Sequence, residues 1–126
     1  MTTKAAAIIV SSQSNAANGT TRGTIDLRSA DYGAHISMTI TNGSTGPTDQ
    51  CEGRVLVAYN DGATPAAAGA GADWKTIFVF SGGVDANAVT EMPFNVDAAI
   101  QHLEVEFTGN TGQAVTVEAV MTTLSA

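Results

Sequence analysis

Ile36-Ser37-Met38-Thr39-Ile40-Thr41 alternates apolar and hydroxyl side chains without a slip. Successive side chains of an extended chain point to opposite faces, so Ile36, Met38 and Ile40 share one face, and Ser37, Thr39 and Thr41 the other. One face is fit for a core and the other for water. Ile25-Asp26-Leu27-Arg28 is a shorter case of the same pattern. The runs at 54–59 and 77–80 are apolar throughout, as expected for strands covered on both faces or lying at a sheet centre. In the C-terminal third, Leu103, Val105 and Phe107 alternate with His102, Glu104 and Glu106, and Val115, Val117 and Ala119 alternate with Thr116 and Glu118. With a Gly/Asn-rich loop at 108–113 between them, these two strands are predicted to form an antiparallel hairpin with Phe107 near Val115.

Residues 4–11 and 88–96 bring the total to about eight strands, and Pro93 marks its strand as an edge or a bulge. Helical periodicity is nearly absent. The expected fold is therefore all-β, a single-domain antiparallel β-sandwich of jelly-roll or Greek-key type. Residues 1–21 read as an N-terminal strand or arm with a linker, turning at Asn18-Gly19, and residues 22–126 as the sandwich. In the arm, Ala5, Ala7 and Ile9 would share one face and Ala6, Ile8 and Val10 the other. Both faces are apolar, which predicts packing on an adjacent copy or pairing as an ordinary first strand of its own domain. The candidate assembly contacts are Ala5, Ala7, Ile8, Ile9 and Val10, with Pro65 in the long loop at 60–73 and Trp74 just after it.

Only 13% of the 126 residues are charged, about half the usual share for a soluble domain. A surface so poor in charge has little to desolvate on packing, which favours a subunit of an assembly. The net charge of −7 includes only five basic residues, Lys4, Arg22, Arg28, Arg54 and Lys75, too scattered to neutralise phosphates, so no nucleic-acid partner is expected. The lone Cys51 allows neither an intrachain disulfide nor a cysteine-rich zinc site and reads as a buried hydrophobe. The apolar run at 5–10 is shorter than the core of a signal peptide, about 7–15 residues, and nothing approaches the roughly 18 residues of a membrane helix. Synthesis in a cytoplasm and no membrane partner are the expectation.

No catalytic, metal-binding or cofactor-binding residues are predicted. His35 and His102 are the only histidines, and a three-ligand centre would need both with a carboxylate such as Glu104. A solvated row of His102, Glu104, Glu106 and Glu118 on the last hairpin, with His102 beside Glu118, accounts for them more simply. No serine sits in a G-x-S-x-G turn, no glycine-rich phosphate loop is present, and Asp61, Asp73, Asp85 and Asp97 lack calcium-loop spacing. Trp74, Tyr32 and Tyr59 could form a stacking platform for a sugar, although a tryptophan at a junction of loop and core is equally ordinary.

The tail at 100–119, IQHLEVEFTGNTGQAVTVEA, together with the Ala-, Gly- and Thr-rich loops and the acidic chain, resembles small virion proteins of tailed bacteriophages, in particular head decoration or cement proteins with β-sandwich domains. The resemblance implies a structural, non-enzymatic virion protein that stabilises a phage head through contacts with copies of itself, as a homo-oligomer such as a trimer, and with the major capsid or other virion proteins. A neck, tail or fibre component is the alternative within that class. A carbohydrate-binding β-sandwich module is the alternative outside it.

Overall fold

A computed structural model of the chain describes residues 1–59, 65 and 73–126. Eight strands form in the order β1 (Thr3–Asn15), β2 (Thr21–Asp26), β3 (Ala34–Asn42), β4 (Glu52–Ala58), β5 (Lys75–Ser81), β6 (Val89–Val96), β7 (His102–Thr108) and β8 (Val115–Ser125). They build two four-stranded antiparallel sheets, β1-β8-β3-β6 and β2-β7-β4-β5. This interleaved order is the jelly roll, a single-domain β-sandwich. Most of the expected loop at 60–73 lies outside the described residues.

The core forms where the alternating patterns meet. Ile36, Met38 and Ile40 of β3 are fully buried, as are Leu103, Val105 and Phe107 of β7 and Val117 and Ala119 of β8. Each large aliphatic or aromatic side chain so placed contributes about 1.5–3 kcal/mol. Cys51 joins this core, and burial pushes its thiol up to about 11, which makes it an inert hydrophobe.

The C-terminal hairpin does not form. β7 pairs with β2 and β4, whereas β8 pairs with β1 and β3 in the other sheet, so Leu103, Val105 and Phe107 face the β8 side chains across the core instead of lying beside them. Alternation fixes which residues point inward but not whether two inward rows share a sheet. The connection at 109–114 is long enough to cross the roughly 10 Å between packed sheets. Among the described residues, β4 and β5 are the only consecutive strands that pair.

β1 hydrogen-bonds to β8 of its own chain along its length, so residues 3–15 belong to the sandwich as an edge strand. The turn at Asn18-Gly19 is present, with Asn18 at φ 63° and the Gly19 N–H donating to the Ala16 carbonyl at 2.8 Å. Gly23 of β2 lies against the β1 backbone, where any β-carbon would collide with the Ile9 carbonyl, so this glycine lets the two sheets close along the β1/β2 side. β6 is an edge strand, which suits Pro93. β5 is also an edge, with Ile77 and Val79 exposed, so its unbroken apolar run is not covered on both faces.

Four connections meet at one end of the sandwich and are tied together by buried amides. Asn110 Nδ2 donates to the Asn15, Ala16 and Gln113 carbonyls at 3.1, 3.3 and 3.0 Å, and Asn15 Nδ2 donates to Asn110 Oδ1 at 2.6 Å. Asn42 Nδ2 reaches the Gly82, Gly83 and Asp85 carbonyls at 3.4, 3.2 and 2.9 Å. Replacing Asn110 by alanine would leave these buried acceptors without their donor. Asn110→Ala should lose about 2–4 kcal/mol of unfolding free energy by urea titration, and Thr20→Ala, whose hydroxyl bond to Thr108 is exposed, less than about 0.5.

Candidate functional site

The outward residues of the β1-β8-β3-β6 sheet form regular rows, set by the register. Ala6, Thr122, His35 and Asn95 make one row, and Ile8, Val120, Ser37 and Pro93 the next. Glu118, Thr39 and Glu91 follow, and then Ser14, Thr116, Thr41 and Val89. Eleven of these fifteen are small, hydroxylated or apolar, the exceptions being His35, Asn95, Glu91 and Glu118. Ile8 is 67% exposed and stands directly across from Val120, which is 38% exposed. Between the first two rows lies an open hollow of about 650 Å³ bordered by Ala6, Ile8, His35, Ser37, Val120 and Thr122. An exposed apolar pair on a weakly charged face is the composition of an interface core.

The expected assembly contacts divide on this structure. Ile8 and Ala5 are exposed, and Ala7 and Ile9 are partly buried against the core. Val10 is only 2% exposed and sits in the core, although simple alternation puts it on the outer face with Ile8. The pairing of β1 with β8 slips between Ile8 and Val10, and the extra residue of this bulge reverses the parity. Val10 therefore holds the sandwich together. Trp74 is 7% exposed and packs with Leu56 and Ala58, which makes it internal too. Pro65 is partly buried.

Sequence reading missed Val120, Thr122, Ser37 and His35 as companions of Ile8. Their signal lay in the tail, where the inward series Val115, Val117, Ala119 continues to Met121 and leaves Val120 as an apolar residue on the outward phase.

The opposite outer face is of another kind. His102, Glu104 and Glu106 were expected in solvent, but all three are buried. β7 is an inner strand of its sheet, and cations from both neighbours bracket its carboxylates. Arg22 Nε of β2 lies 2.8 Å from Glu106 Oε2 and 3.3 Å from Glu104 Oε1. Arg54 of β4 lies 3.7 Å from both Glu106 and Glu52. Glu118 faces outward on the other sheet and so cannot meet His102. His35 and His102 likewise lie on opposite layers, which rules out the three-ligand centre considered from sequence. Among the described residues, no three histidine, cysteine or acidic side chains group as a metal site.

The three aromatics do not share a platform. Trp74 packs on the β2-β7-β4-β5 side, whereas Tyr32, 54% exposed, lines a hollow of about 210 Å³ at the edge of the other sheet with Lys4, His35, Asn95 and Thr122.

No protein-family model matches the chain, and no curated protein matches it. Solved structures do. The K3 cleaved adhesin domain of Lys-gingipain from Porphyromonas gingivalis w83 is 10% identical with a TM-score of 0.61, the match covering 89% of this chain and 73% of that one. The Yersinia pseudotuberculosis-derived mitogen is 10% identical with a TM-score of 0.52, over 98% and 86% of the two chains. A chain in the structure of infectious bursal disease virus, Gx strain, is 12% identical with a TM-score of 0.51, over 98% of this chain and 32% of that one. At these identities the likeness shows the fold alone.

The arginine ladder and the exposed pair Arg28–Asp26 should respond differently to truncation. Arg22→Ala removes the cation 3.3 Å from the wholly buried Glu104 and should cost about 2–3 kcal/mol, reduced from the full buried-pair value because Arg22 is itself 41% exposed. Arg28→Ala should cost less than about 1 kcal/mol in the same urea titration.

Proposed function

We propose that this chain is a structural subunit of a larger particle, a bacteriophage decoration or cement protein, which packs through the outer face of its β1-β8-β3-β6 sheet. The observation that carries the reading is the exposed Ile8–Val120 pair on the β1/β8 side of a face on which hydroxyls, alanine and proline largely replace charge. Apolar surface left in water at that position is stabilised by burial against a partner at roughly 25 cal/mol per Å². The jelly roll suits the role, since viral capsid domains are built on it, but lectin domains are too. The face, not the fold, supports the choice.

A carbohydrate-binding module is the second reading, favoured by one feature. Tyr32 offers an exposed ring beside the amide of Asn95, the imidazole of His35 and the hydroxyl of Thr122, a set that could stack on and hydrogen-bond to a sugar. Titration with a glycan panel followed by NMR of the Tyr32 ring would raise this reading above the first if a sugar shifts that signal, and a silent panel removes it.

For the leading reading, mass spectrometry of purified phage particles from the source should find the chain at a copy number comparable with that of the shell protein. Its absence from particles would overturn the proposal. Wild-type chain should rebind to particles stripped of it, whereas Ile8→Glu or Val120→Glu should weaken rebinding at least about 100-fold, which corresponds to roughly 2.7 kcal/mol. Val79→Glu, exposed on the opposite sheet, should stay within about threefold.

A further inference from the structure

The proposed packing face carries its few charges in a definite order. Lys4, paired with Leu124, lies one row beyond Ala6 and Thr122 and is the only lysine or arginine on the outer face of this sheet among the described residues. Glu118 and Glu91 flank Thr39 one row beyond Ile8 and Val120, on the side away from Lys4. The midpoint between the lysine row and the glutamate row falls between the Ala6 row and the Ile8 row, where the hollow lies.

We infer that the occupant of this face is a second copy of the chain, related by a two-fold axis that lies in the plane of the interface, runs across the strands and passes through the hollow. The inference rests on the reading of this face as a packing surface. Such an axis lays each strand over its own counterpart and exchanges rows at equal distance from the hollow. Ile8 and Val120 then cover Ala6 and Thr122 of the second copy, bulk against small, and Lys4 meets the row that holds Glu118. An axis along the strands would instead set lysine row on lysine row and glutamate row on glutamate row. A chain with a net charge of −7 repels its copies in general, so a stable pair requires a face on which opposite charges meet. The isologous two-fold is also the commonest way in which identical chains associate.

Size sets the expected strength. Strands about 4.8 Å apart and rows about 6.8 Å apart give a face of roughly 500 Å², so a pair buries on the order of 1,000 Å², the lower limit of specific interfaces. The dimer should be weak, with Kd in the range of about 1–100 µM.

Sedimentation equilibrium of the full chain from about 5 to 500 µM at low salt tests this. Wild type should pass from monomer to dimer, Lys4→Glu and Glu118→Lys should each raise Kd at least about tenfold, and the double variant Lys4→Glu with Glu118→Lys should return to within about threefold of wild type. All eight positions of the two rows that border the hollow stay native in these variants, and circular dichroism confirms that each is folded. A wild-type chain that stays monomeric at 500 µM, or a double variant no better than the singles, overturns the inference. If the chain is monomeric while Val120→Glu still abolishes rebinding to particles, the face is a packing surface for another protein. If the charge-dependent dimer forms while particle binding ignores Val120→Glu, the self-pairing stands and the particle reading falls.

Discussion

A jelly roll sends the chain from one sheet to the other at almost every connection, and each crossing takes backbone carbonyls away from the ladders that would satisfy them. In this protein three buried asparagines meet that demand at one end of the sandwich. Asn110 donates into the turn between β1 and β2 and into its own loop, Asn15 answers it, and Asn42 gathers three carbonyls of the β5–β6 connection. An amide suits the task because it carries two donors and an acceptor without charge, so it can be buried among carbonyls without an accompanying ion. The sheet order, the facing of β7 across from β8 and the smooth outer rows of β1-β8-β3-β6 all depend on crossings held this way.

The strands were legible because alternation needs only local sequence. Each of the eight expected segments overlaps a strand, although β2 runs Thr21–Asp26 and leaves Leu27 and Arg28 of the expected 25–28 segment outside it, and Ile36, Met38 and Ile40 are buried as their spacing requires. What stayed hidden is set by partners distant along the chain. The pairing of β7 could not be read from residues 102–108, because the strands beside it begin at Thr21 and Glu52. For the same reason Glu104 and Glu106 read as solvated: Arg22 and Arg54, which make their burial tolerable, lie far away in sequence. Val10 failed for a geometric reason, since one bulge after Ile8 reverses the parity that the alternation argument assumes. Of the candidate surface, Ile8 was visible as an apolar residue on a strand with two apolar faces. Its neighbour Val120 became visible only once β8 was seen to run on to Ser125.

The two outer faces separate two uses of a sheet surface. One pairs buried carboxylates with arginines and packs Trp74 against Leu56 and Ala58, so its side chains spend their interactions within the chain. The other leaves Ile8 and Val120 facing solvent among hydroxyls whose hydrogen bonds water can supply. Closing a partner over the second face displaces little bound charge, whereas doing so over the first would disturb an established ion network. The scarcity of charge noted from composition is thus concentrated where association costs least.

The hold on Asn42 also bears on how the molecule ages. Two Asn-Gly sequences occur, at 18–19 and 42–43, and such pairs lose ammonia when the following backbone nitrogen attacks the side-chain carbonyl to close a succinimide ring. Ring closure requires the side chain to swing freely. Asn42 is buried and its amide is fixed by carbonyls from another loop, whereas Asn18 stands exposed in a tight turn, bound there through its backbone N–H to the Asn110 carbonyl. Stored protein should therefore gain its negative charge variants at Asn18 and keep Asn42 intact, a chemical clock placed at the tip of one loop and readable by peptide mapping.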